Sequence, residues 1–163
     1  MTQDPTPSDG EARAAAALAA SGIEHTITRH GRVGSLEEAA AARGVEPRDV
    51  LKTLVVRRAE DDYLFVLVPG GREISWPKLR ALLGVNRISM PDAAVARQVT
   101  GYERGTITPF GSTTALPVVA DASVTGRLVS IGAGSHGVAA TAHSDDLVRV
   151  LGAQVADVTE PSA

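Results

Sequence analysis

Cysteine is absent from the 163 residues, which removes disulfides, thiolate nucleophiles and cysteine-ligated metal sites at once. No apolar run approaches the roughly 20 residues that cross a bilayer. The alanine run Ala14–Ala17 lacks the basic start and long apolar centre of a signal peptide, so the expected location is the cytoplasm. An excess of positive charge is missing too. At a net charge of −3 the surface as a whole does not attract nucleic acid, and such a partner would have to meet a local basic patch. Lysine is scarce: of 16 basic residues only Lys52 and Lys78 are lysines. Aromatics are 3% of the chain, yet Tyr102 and Phe110 fall in one stretch, Thr100–Gly111, among three glycines and Pro109. A plain connection is short and polar, so this stretch needs another reason.

What is present is ordinary for a globular protein: 44% hydrophobic and 21% charged residues, with length for one domain and a core. The polar, proline-rich residues 1–10 are expected to form a disordered tail, 11–158 the domain, and 159–163 a second tail. Glu11–Ala20 reads as a helix stopped by Ser21-Gly22, followed by a strand over 23–28. Ser35-Leu-Glu-Glu38 is a capping box opening a helix that Gly44 ends. The runs 51–56 and 63–68 around Ala59–Asp62 predict a β-hairpin. Ser75 with Pro77 opens a helix closed by Gly84. A short strand near 87–89, a helix over 91–99, strands over 116–120, 127–131 and 138–142, a helix from Ser144 to Leu151 and a strand over 154–158 complete the reading. Interspersed helices and strands with a hairpin predict an α+β domain, a mixed sheet with helices packed around it.

Several residues could carry chemistry. Lys52 opens a strand in which Leu54 and Val56 share its face, so its ammonium must snorkel to the rim or meet an anion. Gly132–Gly137 lies between two strands. Its turns can expose successive N–H groups to a phosphate or oxyanion, or simply serve a hairpin. His136 within it is a possible base or hydrogen-bond donor, and Asp121 an orienting acid or an Asx turn with Ser123. His25, His30, His136 and His143 match no zinc spacing, so neither a metal nor a cofactor is expected.

Read in order, Val50–Val56, Val99–Gly111, Pro117–Ser123 and Gly132–Gly137 resemble the YbaK/EbsC family, free-standing relatives of the editing domain of bacterial prolyl-tRNA synthetase. The resemblance spans roughly residues 11–158 and implies a strongly curved, barrel-like mixed sheet flanked by helices. It also implies hydrolysis of the ester in mischarged aminoacyl-tRNA, with the tRNA acceptor end as partner, prolyl-tRNA synthetase as a possible second one, and neither membrane nor DNA. The family's functional lysine falls on Lys52, and its glycine-rich loop on Gly134, Ser135, His136 and Gly137. The Gly-x-x-x-Pro part falls on Gly105–Pro109, which makes the long stretch a pocket wall that Pro109 and Phe110 stiffen and line. Gly101, Tyr102, Gly105 and Thr106 join these as expected substrate contacts, as do Thr53, Asp121 and His30. Arg57, Arg58, Arg104 and Arg127 are the candidates for a tRNA-facing patch. Many relatives have two adjacent glycines where this chain has Gly105-Thr106, and some have basic residues at Ser135-His136. That leaves cysteinyl, alanyl, seryl and threonyl esters of the proline tRNA open. A non-catalytic binding module and a hydrolase of another small ester remain as alternatives.

Overall fold

A computed structural model describes residues 8–162. Most of the expected tail at 1–10 lies outside them, but its last two residues already belong to helix α1, Asp9–Ser21, which Ser8 caps through a bond from the Glu11 amide. The remaining helices are α2 (Leu36–Arg43), α3 (Trp76–Leu83), α4 (Ala93–Thr100) and α5 (Ser144–Leu151). Their ends follow the cap chemistry. The Ser35 hydroxyl accepts from the Glu38 amide while Glu38 reaches back to the Gly34 amide, and Gly44 closes α2 in the left-handed region. Ser75 and Asp92 cap α3 and α4 in the same way. At α5 the cap is His143 rather than Ser144, because the Ser144 hydroxyl accepts from the Arg127 amide.

The strands are β1 (Thr26–Arg29), β2 (Val50–Ala59), β3 (Asp62–Pro69), β4 (Arg72–Ile74), β5 (Val118–Asp121), β6 (Leu128–Gly132), β7 (Val138–His143), β8 (Gln154–Ala156) and β9 (Thr159–Pro161). Seven form one mixed sheet in the order β1-β7-β6-β2-β3-β5-β8, with β4 and β9 a separate pair. The expected hairpin is β2–β3, antiparallel from Leu51↔Pro69 to Ala59↔Asp62. Parallel contacts join β2 to β6, β3 to β5 and β5 to β8. The mixed α+β class holds. Barrel-like closure is not seen: among the described residues β1 and β8 are the edges of an open sheet. The expected strand at 87–89 shrinks to a single bridge, Arg57↔Ser89.

Alternation along β2 and β3 sends Leu51, Val55, Phe65 and Leu67 into one core, and Val56, Leu64, Val66 and Val68 into another. The sheet is therefore covered on both faces, which is why β3 reads as an unbroken apolar run. Residues 159–161, expected as tail, are β9. Thr159 is fully buried, and its hydroxyl accepts from Arg72 Nε at 2.7 Å. A three-residue strand beside Glu160-Pro161 has too little pattern to read from sequence.

Candidate active site

Strands β2 and β6 run parallel for only two residue pairs, Val50↔Ser130 and Leu51↔Ile131. β6 then ends at Gly132. Beyond Leu51 the β6-side edge of β2 meets no strand among the described residues until the Arg57–Ser89 bridge. Parallel strands that part in this way leave a crevice at their carboxyl ends. Here it is a cavity of about 830 Å³, within the range of small-molecule sites. Lys52 and Thr53 of β2, Arg43 of α2, Arg104, Gly105 and Ile107 of the long loop, and the start of α4 at Asp92–Ala93 line it. Because the cavity opens at a strand edge, neighbours that point to opposite faces both reach it. Lys52 is exposed and Thr53 is buried. The Thr53 hydroxyl has no hydrogen-bond partner, an uncommon state for a buried polar atom.

A second cavity of about 370 Å³ lies on the other side of the 103–106 segment, lined by Ser8–Gly10, Arg13, Arg97, Gly101, Tyr102, Glu103, Thr106 and Gly134–His136. Thus Lys52, Thr53 and Gly105 fall in one compartment, and Gly134, Ser135 and His136 in its neighbour. The two meet at Gly105, where a Cβ would lie 3.3 Å from His136 Cε1. His136 is exposed, with Nε2 3.6 Å from Glu103 Oε2.

The glycine-rich loop is only partly free. The Gly134 amide donates to the Thr106 carbonyl at 3.2 Å, so it is not available to an oxyanion. Among the described residues the amides of Ser135, His136 and Gly137 donate to no acceptor. At Gly134 the backbone is left-handed (φ 87°), and a Cβ would overlap the Gly10 carbonyl at the start of α1. Gly137 packs as closely on the His30 carbonyl, which would lie 2.5 Å from a Cβ there.

Pro109 and Phe110, expected to line a pocket, border neither of these two cavities, and Phe110 is a core residue. The stretch earns its glycines and aromatics by interlocking. The Tyr102 hydroxyl donates to the Phe110 carbonyl at 2.7 Å, and Arg13 stacks 4.9 Å from the Tyr102 ring centroid. Arg13 also donates to the carbonyls of Gly101 and Gly111. Burial raises the Tyr102 phenol above its ordinary range, although nearby Arg13 opposes this.

Asp121 too is engaged within the protein. It is 2% exposed, accepts from the Ser123 hydroxyl and amide and from the Val158 amide at 3.0 Å, and faces neither cavity. Burial alone would raise its carboxyl, but those hydrogen bonds, with one from Thr159, outweigh it and hold the group below the usual carboxylate range. His30 borders neither cavity, although it touches Arg43. The four arginines do not converge. Arg104 is at the large cavity, whereas Arg57 and Arg58 sit at the far end of β2. By the β2–β6 register, Arg127 lies roughly 30 Å from them at about 3.3 Å per residue. Arg58 and Arg127 are also committed to Asp62 and Asp49.

Arg43 escaped the sequence reading. It sits at the end of an ordinary capped helix, and nothing in its neighbourhood along the chain announces that the helix packs on residues 47–49 and β2 so that this side chain reaches Ser130 of β6. Among the described residues no three His, Asp or Glu side chains gather to hold a metal, and no helix is long and apolar enough to cross a membrane.

Comparison with known proteins is consistent with the motif resemblance. Residues 30–150 match the aminoacyl-tRNA editing domain. The proline–tRNA ligase of Thermosipho melanesiensis is 32% identical over 101 residues, 62% of this chain and 18% of the ligase. That of Syntrophotalea carbinolica is 37% identical over 92 residues, 56% of this chain and 16% of the ligase. The match thus spans less than a fifth of each of these ligases. A solved structure described as a candidate trans-editing enzyme for prolyl tRNA synthetase superposes with a TM-score of 0.85 at 27% identity, covering 95% of this chain and 99% of that one. A second, described as a hypothetical protein, gives 0.82 at 25% identity over 91% and 99%.

Proposed function

We propose that this chain, which belongs to the aminoacyl-tRNA editing domain family, is a trans-acting deacylase that cleaves the ester between a wrong amino acid and the terminal ribose of the proline tRNA. The observation that carries the reading is the large cavity at the β2–β6 split. In a chain of this family it holds an exposed lysine, an unpartnered threonine hydroxyl and a glycine on its walls. Its volume accommodates a terminal nucleoside together with a small side chain.

An aminoacyl ester is already activated, so positioning and stabilisation of the oxyanion matter more than a strong nucleophile. In the proposed step a water oxygen attacks the ester carbonyl carbon, and the tetrahedral oxyanion collapses with cleavage of the bond to the ribose oxygen. That oxygen takes up a proton, releasing free amino acid and tRNA with its terminal hydroxyls restored. The neighbouring 2′-hydroxyl of the substrate can relay the water's proton. Lys52 holds ribose or ester oxygens from the cavity wall. The free amides of Ser135–Gly137 lie next door, beyond Gly105 and His136, so they can serve only a substrate that reaches across the 103–106 segment. No step requires a metal.

The test is to incubate the purified protein with proline tRNA charged separately with alanine, cysteine, serine and threonine, with and without prolyl-tRNA synthetase. Selective loss of one ester is expected. Stability of all four under both conditions would overturn the reading. The dispersed arginines, two of the four already paired within the protein, favour a second reading, a hydrolase of small aminoacyl or nucleotide esters that makes no use of the tRNA body. Its signature is equal turnover of aminoacyl-tRNA and the corresponding ester of a short oligonucleotide, with a tRNA salt slope near that of one or two phosphates.

A further inference from the structure

Arg43 is a half-buried guanidinium without a counter-ion. Among the described residues no carboxylate pairs with it. Its contacts are two long, uncharged ones: Nε donates to His30 Nε2 at 3.4 Å, and an Nη to the Ser130 hydroxyl at 3.5 Å. His30 in turn holds Nδ1 2.8 Å from the Gly31 carbonyl, so the tautomer protonated on Nδ1 satisfies both contacts. Burial pulls the Arg43 guanidinium below its usual range, though it stays charged. A cation drawn partly out of water with no anion beside it costs free energy unless a ligand supplies the anion.

The register locates that anion. Ser130 lies beside Val50, and Lys52 is two residues further along β2 on the same face. The Cα atoms of Ser130 and Lys52 are therefore about 8 Å apart, from the spacing of neighbouring strands and the rise per residue. Both cationic side chains border the large cavity, as does Arg104, and among the described residues Asp92 is the one carboxylate on its wall. The Asp92 carboxylate is occupied as the cap of α4, accepting from the Val95 amide at 2.9 Å.

We infer that Arg43, backed by Ser130 and His30, is the phosphate-binding residue of the cavity. It takes the phosphodiester on the 5′ side of the terminal nucleoside and leaves Lys52 to the ribose and ester oxygens. The assignment rests on the deacylase reading for the identity of the nucleotide, but the anion site itself stands on geometry. It divides labour between the two cations. Arg43 recognises an end that carries a phosphate, and Lys52 acts where the bond breaks. A guanidinium fork suits the two free oxygens of a phosphodiester better than an ammonium does.

The test measures binding without turnover. Adenosine, the dinucleotide CpA and inorganic phosphate are titrated into the full chain, followed by backbone amide NMR, for the wild type, Arg43→Gln and Arg43→Lys. CpA should bind the wild type about tenfold or more tighter than adenosine, the scale of a charge-assisted contact. Arg43→Gln should erase that gap with adenosine affinity unchanged, and Arg43→Lys should restore part of it. Inorganic phosphate that competes with adenosine as well as CpA does, or binds as tightly as CpA, would overturn the nucleotide-end assignment in favour of a free-phosphate site. Equal weakening of adenosine and CpA in Arg43→Gln would make Arg43 merely structural. No gap in the wild type, or a gap that survives Arg43→Gln, would also overturn the proposal. Because none of these readouts needs catalysis, failure of the deacylase assay with an Arg43-dependent CpA gap would remove only the activity. An active enzyme without the gap would remove only Arg43.

Discussion

The two compartments on either side of residues 103–106 are built on opposite principles. In the smaller one several polar groups are engaged by the protein itself, although the amides of Ser135 and His136 are not. The Gly134 amide is held by Thr106, Arg13 is shared between two carbonyls and the Tyr102 ring, and the Tyr102 hydroxyl is held by Phe110. In the larger one the polar groups wait: among the described residues Arg43 has no anion and Thr53 no partner, and the β6-side edge of β2 is unpaired between Leu51 and Arg57. Buried hydrogen-bonding capacity left unused is costly, so the larger compartment is the one built to gain from a ligand, while the contacts around the smaller one hold the molecule together. Glycine loops and aromatics draw the eye in a sequence, and here Gly134 and Tyr102 are both tied into the fold by their own hydrogen bonds.

That contrast can be broken by substitution. Lys52→Ala should lower deacylation at least about a hundredfold, the loss typical of one stabilising group at the reacting centre, with thermal unfolding unchanged because the side chain is exposed. An active variant would move the chemistry to the smaller compartment. Gly134→Ala should do the reverse. Its left-handed backbone and the overlap with Gly10 should cost about 1–3 kcal/mol or more, read by urea unfolding, and loosen α1 in hydrogen exchange. A stable Gly134→Ala that is inactive would make the loop catalytic after all.

Asp121→Asn tests a second joint. It should cost about 1–3 kcal/mol at neutral pH. The sign with pH follows from the carboxyl's lowered folded value. The folded state binds the proton more weakly than the unfolded chain, so the stabilisation is complete above the ordinary carboxylate value near 3.9. It fades as pH falls through the lower folded value. The gap between wild type and Asp121→Asn should therefore close in strongly acidic solution, and a gap constant down to the acid transition would refute the role of charge. The smallest effect is expected at Arg58→Ala, a largely surface pair with Asp62. Stability should change by about 0.5 kcal/mol or less, and tRNA affinity should not change in filter binding. A clear loss of affinity would restore the arginine patch.

Local chemistry was legible in the chain. Ser35, Gly44, Ser75 and Gly84 bound their helices where cap preferences put them, and the β2–β3 hairpin lies within a few residues of its apolar runs. Lys52 stood out by its rarity and its strand position. Arg43 and β9 were missed. Each is held by a partner far along the chain: Ser130 for Arg43, Arg72 for Thr159.

The sequence by itself determined the helix ends, the hairpin and the family, because capping, turn chemistry and spaced motifs act between residues close along the chain. Only the tertiary structure decided that β2 and β6 run parallel for two pairs and then part. That parting places Arg43 and Lys52 on one cavity while the 103–106 segment walls the glycine loop into another. Parallel pairing is a contact between segments some eighty positions apart, its energy comes from packing on both faces of the sheet, and no local pattern encodes where two such strands separate.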